Sequence, residues 1–492
     1  ISGAITSGSG NVSLFKTGSG TLTLSGGATF SGAGITDGSN FTTSAVFREG
    51  TTILDGGSYS NSGGEIAIGG VATHGGAGTN TTLQLNNGAT LNNISWLSLG
   101  RGNGTGSVSS DLVLNGNATV TTTNLSAGFN AGSALNLPKG SITLNNTSQL
   151  TVTSTATGTG GGAATFVLAE SPGSNVTLTV NDSAVLNRTG GNTVVSGTSQ
   201  NQGALQIGRA ATGTVIMNGG TINVASTDLG RGVNNTSAQN GTLTIKTGAT
   251  YNNEGDFRMA FAGGASGQAT LNLQGGTLNI GTTTARTLVI GTFDGSQAAV
   301  TIDSGNLNLN TNSSIRFNAS GNVGTKVINL NGGAITSFSD NKTTANGSGV
   351  VDMMQASSSA TNTFNLNGGT LTVRQVVSTA NAGNRIFNFN GGTLKATGNS
   401  TAFFNLGTGG TARANVRNSG AVIDTNSFDV TVAQALLHSD IGGDNASDGG
   451  LSKQGSGTLT LTNTNTYTGK TTVTGGSLVL GSAGSIANSS EI

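Results

Sequence analysis

The chain has no cysteine among its 492 residues. That single absence removes disulfides, thiolate metal sites and cysteine nucleophiles. It is compatible with secretion of a bacterial chain that crosses an envelope unfolded. Charge is scarce as well: 8% of residues are charged, against about 25% in an ordinary soluble domain. The 20 basic and 20 acidic side chains balance, so nothing draws the chain toward nucleic acid or an acidic membrane. No run reaches the roughly 18 apolar residues of a membrane-spanning helix. Ile1-Ser2-Gly3-Ala4 opens without a basic start or an apolar h-region, so a leader has been removed or the segment is excised.

Glycine, by contrast, is abundant at 83 residues, with only 2 prolines. Composition alone would suggest a flexible low-complexity chain, but the apolar residues are periodic, and disordered tracts are not. One phrase keeps returning: Leu271-Asn272-Leu273, a Gln-Gly-Gly turn, then Thr277-Leu278. It recurs at Phe364-Asn365-Leu366 with Thr370-Leu371, and at Phe387-Asn388-Phe389 with Thr393-Leu394, each around Asn-Gly-Gly. The first residue of each apolar pair gives the series Leu83, Leu112, Ile142, Leu178, Val215, Leu243, Leu271, Val300, Ile328, Phe364, Phe387. Most intervals lie near 28 residues, and a fixed period of this size marks a solenoid. The longer intervals are read as loop insertions at 155–164, 189–202 and 337–360 that leave the neighbouring rungs undisturbed. By length alone the chain would hold roughly three domains. The repeat replaces that expectation with one continuous solenoid over 1–492.

Each period carries three apolar patches with period-two alternation, as in Leu271/Leu273, Leu278/Ile280 and Leu288/Ile290. Alternation of this kind means strands with one buried and one wet face. Asn-Gly and Gly-Gly supply the positive φ angles that tight corners need. The expected fold is all-β, a three-sided parallel β-helix of roughly 16–17 rungs, about 80 Å long at ~4.8 Å per rung. An antiparallel meander is the alternative, since Asn-Gly also marks hairpins, but hairpins give no reason for a three-strand unit. Like should stack on like, with Leu, Ile, Val and Phe inside and Asn and Thr at corners and on wet faces. Phe364, Phe387, Phe389, Phe403 and Phe404 should form an aromatic stack. Only Val432–Leu437 offers material for a turn of helix.

One stretch is more specific. Leu451-Ser452-Lys453-Gln454-Gly455-Ser456-Gly457-Thr458-Leu459-Thr460-Leu461, then Asn465, Tyr467 and Gly469, then Gly475, Leu478 and Leu480, closely resembles the autotransporter-associated β-strand repeat. That repeat occurs in passenger domains of bacterial autotransporters and related giant surface proteins. A second copy runs from Leu14 through Lys16, Gly18, Gly20, Leu22 and Leu24 to Phe30 and Gly32. The specific motifs thus cover 14–32 and 451–480. The resemblance implies a right-handed parallel β-helix, secreted and displayed at the cell surface. The chain departs from a complete autotransporter in showing no translocator barrel: it closes on Asn488-Ser489-Ser490-Glu491-Ile492. A barrel follows in a longer precursor or is absent.

Candidate sites are sparse. His74 lies in a glycine-rich loop and His438 beside an acidic one, and both are expected at the surface. Glycoside hydrolysis needs two facing carboxylates. Glu254 and Asp256 have the i,i+2 spacing of one strand face, though a solvated pair is the plainer expectation. Asp440, Asp444 and Asp448 could offer oxygen ligands to Ca²⁺, but lack the spacing of a calcium repeat, and a polar corner insertion accounts for them. Arg101, Arg209 and Arg231 each follow an apolar-Gly step and would form a sparse basic row. No catalytic, cofactor or metal residue is assigned. The expected function is a non-enzymatic extracellular structural or adhesive rod, displayed on or released from a bacterial surface. The alternatives are a polysaccharide-degrading enzyme or a glycan-binding module on the same scaffold. Its ends look like ordinary rung material, so expected partners are adjacent copies or further repeats, stacking head to tail. Host or matrix surfaces and glycans are further candidates.

Overall fold

The computed structural model describes residues 3, 5, 13–30, 35–36, 42–69, 80–100, 109–128, 139–153, 166–189, 193–194, 201–202, 204–231, 239–261, 267–291, 296–310, 312–317, 324–337, 349–356 and 359–492. They fall into two compact units, Ile1–Asn252 and Asn253–Ile492. Each is a mostly parallel β-solenoid in which a rung contributes one strand to each of three faces and these strands pair with their counterparts in the next rung; Ile35–Thr36 instead pairs antiparallel with the start of Thr42–Phe47. No helix occurs among the described residues, and Val432–Leu437 lies across the ends of two strands, Val430–Val432 and Leu436–His438.

The apolar series anticipated from the sequence is the pairing register itself. In the first unit Leu83 pairs with Leu112, then Ile142, Leu178, Val215 and Leu243 in succession. In the second, Leu271 pairs with Val300, Ile328, Phe364, Phe387 and Ala414. Intervals of 36 and 37 residues pair as cleanly as those of 28, so the insertions leave the ladder intact. The 155–164 insertion lies outside the described residues. Within 189–202 the described residues form an antiparallel pair, Thr193–Val194 against Asn201–Gln202. The 337–360 insertion requires a correction. Val350–Asp352 inside it is a buried third-face strand, pairing in register with 315–316 on one side and Gln375–Val377 on the other. Its three residues are too few to show a period.

Like stacks on like. Phe364 and Phe387 lie face to face with ring centroids 4.9 Å apart, and Phe404 meets Phe387 edge-on at 5.1 Å. Phe389 touches both Phe387 and Phe404, and Phe403 is buried too. At the corners the polar counterpart is an amide ladder. Asn115, Asn145, Asn181 and Asn218 each donate from Nδ2 to the Oδ1 of the asparagine one rung earlier, the first to Asn86, at 2.7–2.9 Å. The second unit has its own ladder, within strands and not at a corner, through Asn329, Asn365, Asn388 and Asn415. Every amide in these rows donates in the same direction along the stack, so each rung specifies the register of the next.

Candidate functional site

Most of the chemistry-bearing side chains tie one rung to another. His74 and Arg101 lie outside the described residues. Glu254 and Asp256 do not face each other across a cleft. Glu254 accepts from the hydroxyls of Thr282 and Thr283, and Asp256 accepts the backbone N–H of Thr287 at 3.0 Å. Both carboxylates therefore hold the corner of the following rung. The basic row does not form from the two described arginines: Arg209 pairs with Glu170 at 2.8 Å, and Arg231 is buried against Asp228 at 3.4 Å. The glycine before each is in the left-handed region, Gly208 at φ 72° and Gly230 at φ 67°. Ala169 occupies this corner in another rung of the first unit, at φ 59°, as does Ala260 in the second, at φ 48°.

The three aspartates of the acidic loop diverge. Asp440 pairs with Arg413 at 3.2 Å. Asp444 takes a bidentate Arg417 fork, both contacts 2.8 Å, together with the Ser439 hydroxyl. Those hydrogen bonds, Arg417 foremost, hold the Asp444 carboxyl below its ordinary value. Asp448 is buried and meets His438 Nδ1 at 2.8 Å. It also accepts backbone N–H groups from Gly450, Thr468 and Gly469, each at 2.9 Å. Burial raises the Asp448 carboxyl, but the donors outweigh it and the net shift is downward. Among the described residues no three His, Asp or Glu side chains gather as a metal site requires.

The lysine of the specific repeat motif has a role that its pattern does not reveal. Lys453 pairs with Ile423 on one side and Val473 on the other, so it occupies an inward, core position. It is fully buried. Its ammonium donates to the carbonyls of Gln454 and Gly455 in its own turn, to Gly475 O one rung on, and to Thr425 Oγ1 one rung back, at 2.6–3.0 Å. Gly455 turns with φ 78°, leaving its carbonyl aimed inward at the lysine. Burial lowers the Lys453 pKa. Lys16 repeats this in the first unit. It pairs with Phe47 and donates to Thr17 O, Gly18 O and Glu49 O at 3.1, 2.6 and 2.8 Å.

One outward groove stands apart from these ties. It lies on the third face of the second unit, where the strand Ser400–Asn405 leaves its ladder. Ser400 pairs with Val430 and Phe404 with Val432, so Thr401, Ala402 and Phe403 oppose the single Thr431. This bulge borders a groove of about 570 Å³, lined by polar groups from four rungs: Arg374 and Gln375; Asn399, Ser400 and Thr401; Asp429 and Thr431; Thr458 and Thr460. Asp429 accepts the Thr458 N–H at 2.8 Å, and that bond together with the Thr458 hydroxyl keeps its carboxyl below the ordinary value. Asn399 Oδ1 accepts the Asp429 N–H at 2.9 Å. Among the described residues nothing occupies the Asn399 amide nitrogen or the hydroxyls of Thr401, Thr431 and Thr460. Sequence reading missed this groove; the one local sign is two extra residues in the Ser400–Asn405 strand, visible only once the register is known.

The fold and its ties define a parallel β-solenoid stabilised rung by rung. Residues 14–58 and 451–480 match the passenger-associated-transport-repeat family, a repeat found in autotransporter passenger domains. No curated protein and no solved structure matches the chain. The first match runs past the motif at 14–32, and the structure shows why. Residues 42–58 hold the next rung, with Lys16 on Phe47 and Leu24 on Leu54, just as Lys453 lies on Val473 and Leu461 on Leu480. The repeat is one full turn plus the strands that cover it.

Proposed function

We propose that this chain is a non-enzymatic structural or adhesive β-solenoid, displayed on or released from a bacterial cell surface. The carrying observation is the passenger-type repeat at both 14–58 and 451–480, folded each time into the same lysine-clamped turn. The fate of the titratable groups supports the non-enzymatic part: Glu254, Asp256, Asp444 and Asp448 hold neighbouring corners or loops instead of converging on a shared space. General acid and base pairs need the opposite arrangement.

Two measurements test the proposal on the whole protein. Incubation with a panel of polysaccharides should release no reducing ends, and protease shaving of intact producing cells, or assay of the culture medium, should recover the protein outside the cell. Steady release of reducing ends would replace this proposal with a polysaccharide-degrading enzyme. Recovery only from lysed cells would end the surface assignment.

A further inference from the structure

The groove beside the Ser400–Asn405 bulge gathers into one concavity several polar atoms that are not spent on rung-to-rung ties. Its volume falls in the ~300–1,000 Å³ range of small-ligand sites. Its lining, however, offers one buried apolar side chain, Val430, among hydroxyls, amides, Arg374 and Asp429. That chemistry rejects an apolar ligand, which would leave the Asn399 amide nitrogen and the Thr401, Thr431 and Thr460 hydroxyls unpaired. It fits a ligand that is itself dense in hydroxyl groups. We infer that this groove binds a neutral oligosaccharide.

The assignment rests on complementarity. Asp429 stays ionised at neutral pH and presents a carboxylate to a pair of sugar hydroxyl donors, while the Asn399 Nδ2 supplies a donor for a ring or hydroxyl oxygen. Thr431 and Thr460 pair in register, so their hydroxyls recur at one rung spacing along the floor and each can donate or accept. The backbone holding these groups is a parallel ladder, so they are positioned before a ligand arrives. Among the described residues Asp429 is the single carboxylate of the lining, whereas hydrolysis of a glycosidic bond employs a pair; the groove holds a glycan without cleaving it. Among the described residues no aromatic ring lines it, so stacking adds nothing and affinity is weak, with Kd about 1 mM for a short oligosaccharide.

Saturation-transfer NMR on the full chain tests this, with maltohexaose, cellohexaose, chitohexaose and polygalacturonate as probes. At least one neutral hexasaccharide should receive saturation. Asp429→Ala should reduce that signal at least five-fold, and so should the near-isosteric double change Thr431→Val with Thr460→Val, which leaves Asp429 and its bond to Thr458 in place. Unchanged circular dichroism shows that each variant is folded. Transfer to none of the neutral probes, transfer to polygalacturonate alone, or signals unaffected in both folded variants would overturn the inference. Each of those results leaves the structural solenoid standing, because reducing-end release and surface recovery test that separately.

Discussion

The two copies of the specific repeat, at 14–58 and 451–480, share a motif and a pairing pattern but differ in burial. Lys16 is half-buried and holds three carbonyls; Lys453 is fully buried and adds the Thr425 hydroxyl. The strand after each lysine tells the same story: Leu22 is half-buried and Leu459 fully buried. The motif forms the clamp in both places, and the two clamps differ in burial and in the Thr425 hydroxyl that only the second engages. A lysine at a core position looks like an error by hydrophobic patterning. It becomes a stabilising choice because glycine turns leave carbonyls aimed at the interior, and an unpaired buried carbonyl costs more than an ammonium that satisfies several.

Substitutions that strike both copies at matched positions would sharpen or break this contrast. The largest effect is expected from an aspartate in the core. Leu459→Asp should cost several kcal/mol and melt the neighbouring rungs, while Leu22→Asp should cost about half as much. Leu273→Asp, in the fully buried column between them in sequence, should match Leu459→Asp. Urea denaturation with hydrogen exchange over the affected rungs measures all three, and equal losses at Leu22 and Leu459 would break the contrast. The clamp comes next. Lys453→Met removes the ammonium donor from the Gly455 and Gly475 carbonyls and should cost about 3 kcal/mol, against about 1 kcal/mol for Lys16→Met. If the two methionine variants lose the same stability, burial is not what distinguishes the copies.

A pH effect should follow in the second unit. Asp444 and Asp448 are held below the ordinary carboxylate value in the folded state, so the unfolded chain takes up their protons first as pH falls. Their contribution is complete above about pH 4 and is lost as pH drops through their folded values. Urea midpoints read at pH 5 and pH 3 should fall for the wild type, and fall less for Arg417→Leu, which lacks the main partner of Asp444. Smallest of all, Ala169→Gly and Ala260→Gly should each gain up to about 1 kcal/mol, because both alanines sit at positive φ where the equivalent corners use glycine. A loss of stability in either variant would show that the methyl group's packing outweighs its backbone strain.

The ladder was legible because two signals agreed. Period-two alternation marked which residues face inward, and the glycine turn marked where each strand stops, so Leu83 through Leu243 and Leu271 through Phe387 could be aligned before any pairing was seen. The strand Val350–Asp352 escaped because it is too short to show a period. The acidic loop escaped for another reason. Arg413 and Arg417, which answer Asp440 and Asp444, stand 27 residues earlier in the chain, a separation that only stacking turns into contact. The groove was illegible because it is a failure of the period, three residues opposed to one, and a repeat read from sequence is blind to what its own irregularities enclose.

Sequence alone determined the solenoid, its rung length and its like-on-like interior, because each depends on local spacing and on side chains meeting equivalents one period away. The tertiary structure alone decided what the polar atoms do. An ammonium, a carboxylate or an asparagine amide has no fixed fate in a strand. Whether it ties a corner, as Lys453 and Asp448 do, or stays open to a ligand, as Asn399 Nδ2 does, depends on which atoms the neighbouring rungs bring within about 3 Å.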